Sequence, residues 1–426
     1  MRMRDGIYRI DKIEKIMRIT ISHIPLILSI LPVLISSCVF PISALEFSEE
    51  KIIFVSDDTA FPYYAIDSGN IFIMDHYVDK YISKNEEWSK LYFYNISTDK
   101  LTELTFDDMS NTKVDTPIAI SGNTVYWTVN SDLRSYDTAT KSYKKIFLPP
   151  SVPINLAVQG KTIALVATRF PGDIDGPDIC ISTDGGENFK RYRLPGHQEG
   201  MKMSGNILVY KDSRSSHSSN TLNYLNIDTW KSYQIGDETK GLYTSPDISG
   251  SNIVYRFDSD IYSFLKDDKD KKQELHMIDI STNTTSLIAS PNARIFAFAI
   301  DKDYIVWCDN RNKSNARICL YDLKENKEYS VADIDGGTSP QVSKNTIVWV
   351  DSVNNRYVIK IVTIHDDNYV DDGISGNSGS DGTDDTESPQ PQQTSPKTAS
   401  GEIVWIIASV GIALIAVAGY HGRKNN

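Results

Sequence analysis

Between residues 46 and 365 apolar and polar positions alternate with a period of two, in short runs broken by Gly, Asn, Asp and Ser. That period is the signature of half-buried strands. One phrase recurs through the run: a pair such as Ser-Gly, then an apolar stretch ending in an aromatic, often with an Asp just after. It stands at Ser68, Ser121, Gln159, Ser204, Ser249, Asp301 and Ser343, and its second residue falls at 69, 122, 160, 205, 250, 302 and 344. The gaps are 53, 38, 45, 45, 52 and 42 residues. Five residues beyond each marker come Met74, Trp127, Leu165, Tyr210, Tyr255, Trp307 and Trp349.

A second phrase follows within most units: strand, tight turn, strand. It reads LYFYNISTDKLTEL from Leu91, LRSYDTATKSYKKI from Leu133, LNYLNIDTWKSYQI from Leu222, LHMIDISTNTTSLI from Leu275 and ICLYDLKENKEYSV from Ile318. Short Asp, Asn, Ser and Thr side chains bond back to nearby amides, which makes the polar centre of each copy a turn. About four strands per unit, repeated seven times with no helical stripe between them, predict an all-β, seven-bladed β-propeller with four-stranded blades over 45–365. The last unit carries strands near 339–343, 345–350 and 357–364 but no fourth, whereas Lys51–Ser56 is a lone strand ahead of the first marker. Pairing the two closes the ring and leaves no open edge.

The two ends break the pattern. Residues 19–45 are almost purely apolar after Lys12, Lys15 and Arg18, and Ile42-Ser43-Ala44 offers small residues for cleavage. Residues 1–44 therefore read as a secretory signal peptide, with Met17 as an alternative start and a retained anchor as the alternative fate. Ile35-Ser36-Ser37-Cys38 also resembles a lipoprotein processing box. Ile403–Tyr420 is a run of 18 uncharged residues, about 27 Å as a helix, enough to cross a hydrocarbon core. Trp405 and Tyr420 flank it and Arg423 and Lys424 follow, so 401–426 reads as a transmembrane helix with a short basic cytoplasmic tail. Residues 366–400 hold eight acids against Lys397 and few apolar residues, the composition of a disordered acidic stalk.

Composition fits a folded strand-rich chain: 40% hydrophobic, 23% charged, with 23 Tyr, 14 Phe and 6 Trp. The net charge of −12 is unevenly placed: 1–44 carries +3 and 401–426 carries +1, leaving −16 on 45–400. An acidic body repels phosphate backbones, so a nucleic-acid partner is not expected.

The phrase at Ile305–Val331, with SPDISGSNIVY at Ser245 and TPIAISGNTVYW at Thr116, resembles the repeats of TolB-like propellers of the archaeal cell-surface type. The resemblance spans the whole body. It implies scaffolding, adhesion or recognition at an envelope, and it carries over no catalytic residues. In the third unit Ser182, Asp184, Gly186 and Phe189 resemble the Asp-box of sialidase-type propellers, with Asn188 and Phe189 where Thr and Trp are usual. That likeness implies a structural hairpin.

Chemistry is sparse. Arg169, Arg214, Arg256, Arg311 and Arg356 follow the second strand of successive units, which would open them onto one face of the disc. An arginine-lined mouth there would suit a substrate carboxylate; charges paired with Asp212, Asp309 or Asp351 are the alternative. Tyr77, Tyr81, Phe170 and Tyr262 fall in the same loops and are candidate contacts, since aromatics anchor interfaces. The His residues lack metal-ligand spacing, and Asp173, Asp175 and Asp178 read better as a polar turn than a calcium loop. No metal or cofactor is expected. Cys308 and Cys319 flank one loop on adjacent strands, where either a cross-strand disulfide or two buried thiols would fit. Asn95, Asn283 and Asn312 head N-glycosylation sequons. The expectation is a non-catalytic binding, scaffold or adhesion module on the cell membrane, single-pass, propeller outside, partnered by an envelope protein or a glycan. The alternative is a polysaccharide- or glycan-active enzyme of the sialidase-like class.

Overall fold

The computed structural model describes residues 45–365, apart from 57–60, 79–86, 107–114, 130–131, 149–151, 169–176, 195, 217–218, 238, 261–272, 292, 312–314 and 337. The expected signal peptide, stalk and transmembrane helix lie outside the described residues. Among those described, no helix is long and apolar enough to cross a membrane.

The strands form seven antiparallel sheets. Blades 1 to 6 run over 63–104, 115–146, 152–192, 197–235, 242–289 and 295–334, each four-stranded with neighbours paired in chain order. Blade 7 takes Gln341–Ser343, Thr346–Val353 and Arg356–His365 from the C-terminal side, and Lys51–Val55 completes it against Arg356–His365. A two-residue strand, Glu46–Phe47, pairs with the far end of the same strand. The expected closure by the N-terminal segment is therefore present. Arg356 ties it down by donating Nε to the Ser56 carbonyl at 3.0 Å, and Lys360 links Glu50 (2.9 Å) to Asp351 (2.7 Å).

Seven hydrophobic clusters hold the disc, one at each blade-to-blade interface. Side chains alternate across a strand, so each second strand faces the preceding blade with one set of residues and the following blade with the other. The residue five beyond the marker faces the preceding blade: Trp127 packs against Phe72 and Leu91, and Trp349 against Tyr304 and Leu320. Blade 1 corrects the sequence register by one. Its turn is Ser68-Gly69, because Asp67 pairs with Asn70 as Ser121 pairs with Thr124. Ile73, buried against blade 7, is therefore the counterpart of the tryptophans, and Met74 faces blade 2.

The second turn phrase folds alike in five blades. Thr98, Thr140, Thr229, Ser281 and Glu325 each donate a backbone amide to the carboxylate or amide oxygen of Asn95, Asp137, Asn226, Asp279 and Asp322. Each loop then ends on a residue with positive φ: Asp99, Lys141, Trp230, Asn283 and Asn326.

Candidate functional site

Antiparallel order puts the turns between first and second strands, and between third and fourth, on one face of the disc. The loops between second and third strands open on the other. Of the residues expected on that loop face, Tyr81, Arg169, Phe170 and Tyr262, and the side chains of Tyr77 and Arg214, lie outside the described residues.

The three remaining arginines are held in internal contacts. Arg256 donates Nε to Thr244 Oγ1 (3.0 Å) and Nη1 to the Ile295 carbonyl (2.8 Å), joining blade 5 to blade 6. Burial lowers its pKa, helped by the charge of Arg294. Arg311 grips the fully buried Asp309 through Nε (3.0 Å) and Nη2 (2.7 Å) and reaches Glu328 through Nη1 (2.7 Å). The Asp309 bond raises its pKa against the cost of burial. Asp309 also accepts from Trp307 Nε1 at 2.8 Å. Arg356 is the clamp on Ser56.

The Asp-box folds as a capped hairpin. Ser182 Oγ donates to Asp184 Oδ1 (2.6 Å) and accepts from the Gly186 amide (2.9 Å), while the Glu187 and Asn188 amides donate to Asp184 Oδ1 at 3.0 Å. These bonds, the Ser182 hydroxyl foremost, hold the Asp184 carboxyl well below its usual range. Gly186 has φ +89°, and a Cβ there would stand 2.6 Å from Ile146 Cγ2, so only glycine fits. Phe189 packs against the cluster between blades 2 and 3.

Cys308 and Cys319 are buried free thiols. The register explains why no bridge forms: Cys308 lies opposite Ile318, and Cys319 lies opposite Trp307. One residue of offset turns the side chains to opposite sheet faces. Cys308 therefore sits between blades 6 and 7, and Cys319 between blades 5 and 6. Among the sequons, Asn283 is exposed at a turn tip, Asn95 donates Nδ2 to Asn70 Oδ1 at 2.7 Å, and Asn312 lies outside the described residues.

The first strands of all seven blades line a central channel of about 320 Å³. A closed collar of hydrogen bonds rings one end. The Gly122 amide donates to Asp67 Oδ2 (2.6 Å), Gly160 to Ser121 Oγ (2.9 Å), and Gly205 to Gln159 Oε1 (2.5 Å). Gly250 donates to Ser204 Oγ (2.9 Å), Lys302 to Ser249 Oγ (2.8 Å), Lys344 to Asp301 Oδ2 (2.5 Å), and Ser68 to Ser343 Oγ (3.2 Å). The donor is each time the first turn residue, held at positive φ, which explains why glycine fills four of the seven positions. Within the channel, Asp247 accepts from the Ile248 (3.0 Å) and Ile300 (3.1 Å) amides; burial raises its pKa and the Lys202 charge opposes this. Burial also raises the pKa of Asp301. The collar occupies most of the polar side chains at this mouth with architecture.

Two clefts that sequence reading did not single out open on the turn face, either side of the outer hairpin of blade 4. One, about 540 Å³, lies against blade 5 and is lined by Tyr224, Tyr233, Thr229, Lys231, Ser251 and Ser281 among others. Tyr224 and Tyr233 are cross-strand partners with rings stacked at 5.0 Å and 18°. The other, about 430 Å³, lies against blade 3 and is walled by Trp230 and Lys190, whose Nζ sits 3.7 Å from the indole centroid. The available signal was the lone Asp-Thr-Trp in a turn that elsewhere reads Ser-Thr-Asp, Ala-Thr-Lys, Ser-Thr-Asn or Lys-Glu-Asn.

No protein-family model and no curated protein matches this sequence. Solved structures do. The acylaminoacyl peptidase of Pyrococcus horikoshii aligns at 11% identity and TM-score 0.51 over 70% of this chain and 49% of that one; this chain spans about half that peptidase's length. The propeller domain of the trilobed protease from Pyrococcus furiosus, described as having an open velcro topology, aligns at 10% identity and TM-score 0.52 over 74% of this chain and 96% of that one. An oligogalacturonate lyase solved with manganese aligns at 11% and 0.50 over 76% and 99%. TolB from Acinetobacter baumannii aligns at 10% and 0.41 over 69% and 80%. At these identities the common ground is the fold: this chain is a seven-bladed propeller, and the propeller of the trilobed protease is a similar structure.

Proposed function

We propose that this chain is a non-catalytic propeller displayed outside the cell on its C-terminal apolar anchor, where it binds an envelope protein or a glycan. The observation that carries the reading is the state of the three described arginines that were expected on the loop face, of which Arg256 lies within the strand Asn252–Asp258. Arg256, Arg311 and Arg356 each complete an internal contact, blade to blade, to buried Asp309, or to the closing strand. A substrate carboxylate would have to displace those bonds. The signal-like start, acidic stalk and basic tail support display at the envelope. The propeller supplies a rigid platform for recognition, consistent with a fold that hosts many unrelated functions.

Protease shaving of intact cells, followed by peptide mapping, tests display: loss of propeller peptides is expected, and full protection would overturn it. A glycan array probed with the full chain, combined with crosslinking on intact cells, tests binding without turnover. Retained, unaltered glycan or a crosslinked envelope protein is expected. Release of cleaved saccharide would replace this reading with a polysaccharide-active one.

A further inference from the structure

The five blades that share the Asp/Asn-capped outer hairpin provide an internal comparison, and blade 4 departs from the others twice. At the loop's left-handed position the other blades carry Asp99, Lys141, Asn283 and Asn326, whereas blade 4 carries Trp230 at φ 57°. Asn and Asp tolerate that conformation; for a bulky side chain it is an outlier and a pointer to function. Three residues along, the cross-strand pair equivalent to Tyr224 and Tyr233 is Phe93 and Thr102 in blade 1, Ser135 and Lys144 in blade 2, Met277 and Ser286 in blade 5, and Leu320 and Tyr329 in blade 6. At this pair only blade 4 of the five has an aromatic ring on both strands; blade 2 has its own, Tyr136 opposite Tyr143, one position nearer the turn. The two departures occupy one hairpin, and a cleft opens on each side of it.

The chemistry of the larger cleft is specific. Tyr233 is 47% exposed, and its ring, backed by the stacked Tyr224 ring, gives the cleft an aromatic wall, with a phenol hydroxyl on each ring. Thr229, Ser251 and Ser281 add short polar groups that donate their hydroxyls inward, to Asn226 and to Asp279 behind the wall, and keep their oxygens as acceptors. Among the described residues no carboxylate lines the cleft itself, although the chain carries a net −12. Among the described residues Lys231 is the one charged residue lining it, and it makes no ion pair there. A flat aromatic wall suits the C–H face of a pyranose, hydroxyls suit its ring substituents, and a free ammonium suits a carboxylate.

Resting on the binding role proposed above, we infer that the blade 4 hairpin binds an acidic oligosaccharide, one sugar ring stacked on the Tyr224–Tyr233 pair with its carboxylate on Lys231. The chain of sugars runs over the hairpin tip toward Trp230 and the cleft against blade 3. No bond is made or broken.

The test is calorimetric titration of the full chain with a tetrasaccharide containing glucuronic acid, and with cellotetraose as its neutral counterpart. The acidic probe is expected to bind at least tenfold more tightly than the neutral one. Tyr233→Ala is expected to weaken it at least tenfold, and Lys231→Gln to erase the preference for the acidic probe. Tyr143→Ala, at a partly exposed tyrosine of blade 2, is expected to leave binding unchanged, and thermal melting of each variant reports whether the fold is kept. Trp230→Asn, which installs the residue of blades 5 and 6, is expected to weaken the tetrasaccharide more than a disaccharide. Equal binding of both probes overturns the assignment of Lys231. Binding that survives Tyr233→Ala in a folded protein overturns the site. Absence of saccharide binding, with an envelope protein crosslinked on cells, overturns the inference and leaves the binding role standing; saccharide cleavage overturns the non-catalytic role instead.

Discussion

The Ser68 amide donates to Ser343 Oγ at 3.2 Å, and 275 residues of chain separate the two. It is the bond that joins blade 7 to blade 1 in the collar, and the other six join blades adjacent in sequence. Ser343→Ala removes the acceptor and leaves a part-buried amide without it. The expected cost is about 1 kcal/mol, read by denaturant unfolding with unchanged m. An unchanged midpoint would show that the collar is geometry without energy.

Closure depends more heavily on Phe54. It is 6% exposed, packed against Tyr92 at 5.0 Å, and carried by the strand that completes blade 7. Phe54→Ala is expected to cost about 3–5 kcal/mol, the usual range for emptying a core phenylalanine site. Thermal melting checks this, and a loss under 1 kcal/mol would mean the N-terminal strand contributes little.

Burial pushes the thiols of Cys180, Cys308 and Cys319 up to about 12. The thiolate is the reactive form, so iodoacetamide at neutral pH is expected to leave all three unmodified in the native chain and to alkylate them after denaturation. Peptide mass spectrometry reads the outcome. A peptide pair joined through Cys308 and Cys319 would contradict the register described above.

The two described sequons differ in availability. Asn95 Nδ2, the atom that would carry a glycan, donates to Asn70 Oδ1, and Asn95 Oδ1 accepts from the Thr98 amide at 2.9 Å. Asn283 is exposed at its turn. Glycopeptide analysis of chain secreted by a glycosylating host is expected to find Asn283 occupied and Asn95 largely bare. Equal occupancy would show that modification precedes folding.

Acid stability should report the turn carboxylates. Bonds from the Ser281 hydroxyl and amide, then the Ser251 hydroxyl, pull Asp279 down to about 2. A carboxyl with a depressed folded pKa stabilises fully above its unfolded pKa, near 4, and loses that contribution as pH falls through its folded value. Asp279→Asn is therefore expected to lower stability at pH 6 and to shrink the difference from the parent between about pH 4 and 2. Parallel stability-against-pH curves for parent and variant would exclude this role for Asp279.

The sequence by itself determined the fold. Period-two alternation, the seven marker phrases and the Asp/Asn-capped turns are local, and each depends only on residues within one hairpin, as Thr229 on Asn226 or Ser281 on Asp279. Even closure was legible, because a lone strand at Lys51 and a three-stranded last unit complement each other. Tertiary structure decided what depends on partners far along the chain. It moved the first marker from Gly69 to Ser68, a choice set by the pairing of Asp67 with Asn70. It placed Cys308 and Cys319 at different blade interfaces, because one residue of register reverses the facing of a side chain. It also gave Arg256 and Arg356 internal partners 39 and 300 residues away. The stacked Tyr224 and Tyr233 became a cleft wall only when blade 5 closed beside them. Alternation encodes which side of a strand a residue occupies; the neighbour it meets there is supplied by another blade.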